Sequence, residues 1–192
     1  MQQISDWNIL RDKAYKTAVL HGFWDGCVSD NHHLCLIVSE LMEAVEADRR
    51  GKYGDLQSVV EIVNIQSEWG ITDDWKGSWY KLYFEEKVKD SVGDELADAL
   101  IRILDLAGRH KLDLESPMPE NATFNEKDSF TERVYSIVCI LANLWMSLDK
   151  KLIYAKHEIC RLAESLDIEI MTHINLKMMY NETREQLHGK KY

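Results

Sequence analysis

The sequence predicts an all-α helical bundle, and three observations carry that prediction. Apolar residues recur at helical rather than strand spacing over most of the chain. Only two prolines occur, Pro117 and Pro119, and they lie close together. Hydrophobic residues make up 45% of the 192 residues and charged residues 29%, as is typical of a soluble globular protein. A chain of this length is expected to form one domain, so we treat 1–192 as a single all-α unit.

The first two predicted helices follow from capping residues around apolar runs. One helix is predicted over about 6–20. After a glycine-containing loop, a second helix is predicted to run to Arg50. Asp30 or Asn31 would be its N-cap, because short polar side chains accept hydrogen bonds from free backbone N–H groups. Gly51 is predicted to end it, since glycine readily adopts the left-handed conformation that follows many helices.

The middle of the chain is less regular, and we interpret about 54–84 as an insertion. It has a short apolar run at 59–65, followed by an aromatic-rich segment. The aromatic side chains could stack a nucleobase, but a local core or a subunit contact is the favoured interpretation. They are Trp69, Trp75, Trp79, Tyr80, Tyr83 and Phe84. A third strong helix is predicted over about 85–110.

The rest of the chain is predicted to be helical after one loop. Residues 117–125 contain both prolines and are predicted to be that loop. Three helices are then expected over about 128–149, 150–165 and 168–187. No internal repeat or low-complexity segment is visible.

Charge and cysteine usage limit the classes of partner and the compartment. A formal charge of −10 argues against binding a nucleic-acid polymer or adsorbing to an anionic membrane. The N-terminus lacks a signal-peptide pattern, and the apolar stretch 134–148 is too short to span a bilayer. The four cysteines show no zinc-ligand spacing and are predicted to be buried thiols in a reducing cytoplasm: Cys27, Cys35, Cys139 and Cys160. We therefore expect a cytoplasmic protein.

Two short acidic motifs are the strongest functional signal. Glu40-Leu-Met-Glu43 and Glu95-Leu-Ala-Asp98 each place two carboxylates three residues apart in an apolar segment. On a helix this spacing puts both side chains on one face. Buried carboxylates are costly unless they are paired or bound to metal, and hard divalent cations prefer oxygen ligands. The sequence therefore predicts a Mg²⁺ or Mn²⁺ site between two helices, held by these four acids.

The second acidic helix is apolar around most of its circumference, which predicts a central position in the bundle. Its polar residues form one stripe, made of Glu95, Asp98, Arg102 and Asp105. The polar side chains of this stripe must therefore find hydrogen-bond or charge partners inside the protein. The simpler alternative is that Arg102 pairs with Glu95 or Asp98 and that no metal is bound.

These motifs resemble those of the MazG-like, all-α nucleoside triphosphate pyrophosphohydrolase superfamily. Residues 36–49 are similar to the first family helix and residues 94–105 to the second. The end of the chain, with its basic residues, also resembles the tails of relatives. Two features depart from the family pattern. Ser39 stands where a further acid often precedes Glu40, and 51 residues separate the two motifs, more than in the usual compact hairpin.

The resemblance implies a Mg²⁺-dependent hydrolase that cleaves a (d)NTP to a (d)NMP and pyrophosphate, in nucleotide-pool housecleaning. It implies that the four acids Glu40, Glu43, Glu95 and Asp98 are both metal ligands and catalytic residues. It also implies a homodimer or homotetramer, with dimerisation completing the metal site. The predicted phosphate-binding residues are Lys177, Asn181 and Arg184, which share a helix face, together with Lys190 and Lys191. Their simpler role would be to solvate the helix end.

Two other functions compete with this hypothesis. A non-catalytic regulatory or interaction module could retain the same fold. A di-iron carboxylate bundle typically needs two Glu-x-x-His motifs, whereas only Glu185-Gln-Leu-His188 fits here, far from the acidic helices. His33, seven residues before Glu40, could touch a base or phosphate, although capping or packing is the favoured role.

Overall fold

The computed structural model describes residues 6–26, 28–68, 73–117 and 127–185, with the backbone alone at 66 and 73–78. These ranges contain eight helices and no strand, which confirms the all-α prediction. The helices are α1 (Trp7–Leu20), α2 (Asp30–Arg49), α3 (Leu56–Glu68), α4 (Asp73–Lys87), α5 (Val92–His110), α6 (Phe130–Ala142), α7 (Leu148–Glu164) and α8 (Ile170–Glu182).

The ends of α2 are set by local capping. Ser29 is the N-cap, and its side chain accepts a hydrogen bond from the backbone N–H of His32. The prediction of Asp30 or Asn31 as N-cap was therefore one or two residues late. Gly51 follows the helix with φ +65°, the left-handed conformation expected of a glycine that terminates a helix.

The segment predicted as an insertion folds as a pair of helices, α3 and α4. Their apolar residues form a small separate core with residues of α8: Val59, Tyr80, Phe84, Val88, Leu176 and Tyr180. The local-core interpretation is thus confirmed for Tyr80 and Phe84. Trp79 is half exposed, and the side chains of Trp69 and Trp75 lie outside the described residues.

Three predicted helices were too long. The helix expected from residue 85 begins at Val92, because Asp90 has φ +58° and the Ser91 side chain caps the backbone N–H of Asp94. The helix expected over 128–149 ends at Ala142, since the backbone turns extended at Asn143. The apolar stretch 134–148 is consequently not one core helix, and its Trp145 is 97% exposed. The last helix, expected over 168–187, begins at Ile170 and ends at Glu182, and residues 186–187 lie outside the described residues.

Helix α5 is the centre of the bundle, as its apolar circumference predicted. It packs against α1, α2, α7 and α8, and most of its residues are buried. Glycines permit close approach at both ends. A Cβ on Gly93 would overlap the His173 ring of α8, and one on Gly108 would lie 2.5 Å from the Cβ of Tyr15 in α1. α5 also packs along α2, and this contact brings Glu40 of the first motif next to the second motif.

Two further sequence expectations concern membranes and thiols. Among the described residues, none of the helices has the length and apolar character that crossing a membrane requires. Cys35 and Cys139 are exposed, so the prediction of buried thiols was wrong for these two, while Cys160 is partly buried. Cys27 lies outside the described residues.

Candidate functional site

Helices α2 and α5 bring three of the four predicted acids together. Glu40 of α2 and Glu95 and Asp98 of α5 each offer a carboxylate oxygen, and these oxygens lie within 4.8 Å of one another. Glu40 and Glu95 are buried, and Asp98 is partly exposed. Asp90, Asp94 and Glu95 form a second such group, which shares Glu95 with the first. We call Glu40, Glu95 and Asp98 the acid triad.

Glu43, the fourth predicted acid, lies at the edge of this group. Its side chain is exposed, and it is not among the three acids whose oxygens converge. Its charge still reaches the site. After burial and the charge of Asp98, it is one of the smaller influences that raise the pKa of Glu40 and of Glu95. Its role as a metal ligand stays a prediction.

Lys177 of α8 projects into the acids instead of into solvent. Its Nζ lies 2.7 Å from Oδ2 of Asp94 and 2.7 Å from Oδ2 of Asp98. The side chain is 5% exposed. Burial alone would lower the pKa of Lys177, but the two carboxylates outweigh it, and the pKa is raised. Lys177 is therefore a protonated internal counter-ion of the acids.

Arg102 supplies the second internal counter-ion. It donates from Nε to Oε1 of Glu40, which links α5 to α2. The sequence alternative was a pair with Glu95 or Asp98 on the same helix. The pair forms across the helix interface because Glu40 approaches from α2 at the level of Arg102.

Burial raises the pKa of three of these acids. Burial, with the charges of Asp98 and Asp94, raises the pKa of Glu95 to about 9. The pKa of Glu40 is also raised, mainly by burial and then by Asp98. Burial raises the pKa of Asp94 to about 6 in spite of Lys177. Each raised pKa means that ionising a further carboxylate of this cluster is unfavourable unless another cation is bound there.

The cluster has spare negative charge and an unused acceptor. When ionised, the acid triad and Asp94 carry four negative charges against the two positive charges of Lys177 and Arg102. Oδ1 of Asp94 is buried and accepts no hydrogen bond from any residue that the structure describes. In this fully ionised state, which a bound cation would favour, the surplus of two charges on carboxylate oxygens suits a hard divalent cation. The residues present therefore fit such an ion.

A pocket opens beside the acid triad, between α1, α5 and α8. Its empty space is about 730 Å³, open solvent at the mouth included. Glu40 and Asp98 form part of its wall, together with two of the predicted phosphate-binding residues, Asn181 and Arg184. The remaining lining residues are Ala14, Thr17, Ala18, Phe23, Ile101, Arg102, Asp105 and Met178. Lys190 and Lys191 lie outside the described residues.

The sequence did not single out the aromatic residues near this pocket. Trp24 donates a hydrogen bond from Nε1 to Oδ1 of Asp105, at 2.8 Å. Its ring stacks on His33, with 4.1 Å between centroids, and burial lowers the pKa of His33 to about 4. His33 is thus a packing residue, as favoured. Phe23 and Trp24 lie in a turn between helices, where no periodicity could reveal them, whereas Asp105 was visible in the polar stripe of α5.

No family model, no curated protein and no solved structure matches this chain. Function is therefore inferred from the side chains and their arrangement.

Proposed function

We propose that this protein is a Mg²⁺-dependent nucleoside triphosphate pyrophosphohydrolase, which cleaves (d)NTPs to (d)NMPs and pyrophosphate in nucleotide-pool housecleaning. One observation carries the proposal. Three carboxylates from two helices converge within 4.8 Å, and the pocket beside them also contains Asn181 and Arg184. Acids for a cation and donors for phosphate oxygens thus line one cavity.

The ion would be held by the acid triad, with Glu43 as the predicted fourth ligand. When bound, Mg²⁺ (or Mn²⁺) neutralises phosphate charge and lowers the pKa of water. Two acids of the triad are held in place by basic residues of this chain. Arg102 fixes Glu40, and Lys177 fixes Asp98. Such fixed placement matters, because phosphoryl transfer depends mainly on positioning and electrostatics.

The reaction is a hydrolysis at the α-phosphorus. The oxygen of water forms a bond to this phosphorus, and the bond from the phosphorus to the bridging oxygen of the β-phosphate breaks. Pyrophosphate leaves with the electron pair. The proton released by water passes to one of the carboxylates in the pocket, since these are the proton acceptors closest to the site.

Arg184 and Asn181 are the residues of this pocket suited to the triphosphate. A guanidinium offers forked donors that match phosphate oxygens. Arg184 lies over the Tyr180 ring, with 5.7 Å from Cζ to the ring centroid, which limits the orientations of its head group. Phosphate contact by Lys177 stays a prediction and would require this lysine to leave Asp98. Contact by Lys190 and Lys191 also stays a prediction, as does a homodimer or homotetramer.

A non-catalytic regulatory or interaction module is the second candidate. The observation in its favour is that Lys177 and Arg102 already pair with three carboxylates of the cluster. Internal cations of this kind stabilise an acid cluster without a metal ion. In that case the acids would hold α2, α5 and α8 together and do no chemistry.

Pyrophosphate release from a panel of NTPs and dNTPs, with Mg²⁺ or Mn²⁺, tests the proposal. We expect turnover by the wild type and its loss in Asp98→Ala and Glu43→Ala, with helical content unchanged by circular dichroism. Asp48→Ala is the matched control, because the Asp48 side chain accepts an exposed hydrogen bond from Tyr53, outside the acid triad. Absence of wild-type turnover on every nucleotide would favour the second candidate. Near-full turnover by Asp98→Ala would show that the metal-site assignment is wrong.

A further inference from the structure

The pocket has a second polar position away from the acid triad. Asp98 and Asp105 both line it and are seven residues apart on α5. Seven residues are two helical turns, or roughly 10.5 Å along the axis. The two carboxylates therefore lie on the same side of α5 but are too far apart to share one ion. A ligand bound at Asp98 through its phosphates would extend along α5 towards Asp105.

Asp105 is part of the wall of this pocket, and one of its two carboxylate oxygens has no hydrogen-bond partner among the described residues. Oδ1 accepts the hydrogen bond from Nε1 of Trp24, which fixes the plane of the carboxylate. Oδ2 accepts no hydrogen bond from any residue within the described ranges, and the side chain is part of the pocket wall. An acceptor held in one orientation, with its second oxygen unpaired, is suited to receive a donor from a ligand.

The walls around Asp105 are mainly apolar. They are formed by Phe23, Ile101, Met178, Ala14 and Ala18. A flat aromatic ring fits such walls, because every nucleobase has a π-face that can stack on an aromatic side chain such as Phe23. A phosphate would lose its hydration there and would face the carboxylate of Asp105 instead of a donor.

We propose that Asp105 determines base specificity, by accepting a hydrogen bond from the amino group of a nucleobase. The inference rests on the proposed function, since it assumes that the pocket holds a nucleotide. A carboxylate accepts from the amino group of cytosine. The keto oxygen of uracil or thymine would instead place two acceptors against each other. Nucleotides of amino-bearing bases are therefore preferred over those of uracil and thymine.

The protonation state of Asp105 decides the conditions of the test. Burial raises its pKa to about 7, and the hydrogen bond from Trp24 and the charge of Arg102 act in the opposite direction. At about pH 8 the group is mainly a carboxylate and acts only as an acceptor. Binding is therefore compared at that pH.

Calorimetric titration with cytidine and uridine monophosphates tests the inference without metal and without turnover. We expect the wild type to bind the cytidine nucleotide about 10-fold or more tightly than the uridine one. In Asp105→Asn the amide oxygen still accepts from Trp24, while the amide nitrogen replaces the free acceptor with a donor. That variant is expected to lose or reverse the preference. Asp48→Asn makes the same change at a surface acceptor of Tyr53 and should keep the wild-type ratio.

A ligand-side comparison keeps the test valid if Asp105→Asn fails to fold. Cytidine monophosphate dimethylated at its amino nitrogen has no donor there and should bind the wild type no better than the uridine nucleotide. Equal affinity of the wild type for all three, or no binding of any, would overturn the inference, and so would an unchanged ratio in Asp105→Asn. A preserved cytidine preference in a protein that releases no pyrophosphate would instead refute the hydrolase proposal alone.

Discussion

At the scale of single residues, Lys177 accounts for much of the electrostatics of the site. Its ammonium group lies between Asp94 and Asp98, at 2.7 Å from an oxygen of each. Asp94 is fully buried, so its charge depends on this one cation and on the backbone N–H of Asp90. Removing Lys177 would leave a buried carboxylate with no neighbouring cation among the residues that the structure describes.

Replacement of Lys177 by Met is therefore expected to be costly. Breaking a buried ion pair by removing one partner typically lowers the free energy of unfolding by about 3–5 kcal/mol. Urea unfolding followed by far-UV circular dichroism, at neutral pH and without divalent ions, measures the loss.

A matched control for this variant is Lys13→Met. Lys13 of α1 pairs with Glu182 of α8, the helix that also carries Lys177. The two atoms of the pair are 3.0 Å apart, and the side chains are 34% and 47% exposed. Its loss is expected to cost less than about 1 kcal/mol. Similar losses in the two variants would mean that Lys177 contributes no more than a surface pair.

Some residues of the site could be predicted from the sequence and others could not. Glu95 and Asp98 could be predicted from their spacing on an apolar helix. Glu40 and Glu43 have the same spacing, yet only Glu40 is buried. Positions three residues apart on a helix differ by about 60° around its axis, which is enough to turn one of the two side chains outward. The ion pair of Lys177 could not be predicted, because a sequence does not show which basic side chain another helix will bury.

At the scale of elements, close packing of α5 depends on its two helical glycines. Gly108 faces α1, where an added Cβ would lie 2.5 Å from the Cβ of Tyr15 and 3.1 Å from the backbone oxygen of Arg11. Neither atom is at the end of a flexible side chain. The α1–α5 distance is therefore set by the absence of a side chain at this position.

Substitution of Gly108 by Ala is expected to destabilise the protein. Alanine has a helix propensity about 1 kcal/mol more favourable than glycine, but overpacking here requires α1 to move. We expect a net loss of roughly 1–3 kcal/mol in the free energy of unfolding, measured by urea unfolding.

Gly26→Ala serves as the control, because no atom lies within 4 Å of the Cβ it would add. Its free energy of unfolding is expected to stay within about 0.5 kcal/mol of the wild type. A Gly108→Ala protein that is more stable than the wild type would contradict the close packing of α1 on α5.

Element boundaries show what periodicity alone could not predict. The existence and type of the long helices followed from apolar spacing. The break before α5 did not, because apolar residues such as Phe84 and Val88 continue with helical spacing up to it. Ser91 ends that continuity by capping α5. A serine inside an apolar pattern is compatible with a helix interior as well as with a cap, so the pattern alone does not place the break.

At the scale of the whole molecule, the buried acids make stability depend on pH. Glu95 has a pKa of about 9 in the folded protein against an ordinary value of 4.5, owing first to burial and then to Asp98 and Asp94. Between these values the folded protein holds a proton that the unfolded chain releases. This proton contributes fully to the free energy of unfolding below a pH of 4.5, the ordinary pKa. The contribution is lost as the pH rises through about 9, the pKa in the folded protein.

We expect the free energy of unfolding to fall between about pH 7 and pH 9 when no divalent ion is present. The slope for one proton is at most about 1.4 kcal/mol per pH unit. His33 and His173 do not contribute, because burial lowers the pKa of each to about 4, so their effect lies below the ordinary value of 6.5. Urea midpoints across this range measure the change.

Glu95→Gln isolates the source of this dependence. The amide cannot ionise, so the decline from pH 7 to pH 9 should become shallower, with the contributions of other acids of raised pKa left, such as Glu40 and Asp105. Mg²⁺ should also reduce the decline in the wild type, since a ligand that binds the folded state stabilises it. A wild-type stability that rises over this interval would contradict the assignment of a proton to Glu95.

Binding of Mn²⁺, followed by electron paramagnetic resonance of the free ion, tests most directly whether the acid triad is a divalent-cation site. The wild type is expected to remove Mn²⁺ from solution and to release it when Mg²⁺ is added in excess. The triple variant Glu40→Gln, Glu95→Gln, Asp98→Asn keeps the shape of the site and should leave the free signal undiminished. Equal Mn²⁺ binding by the two proteins, or none by the wild type, would contradict the account.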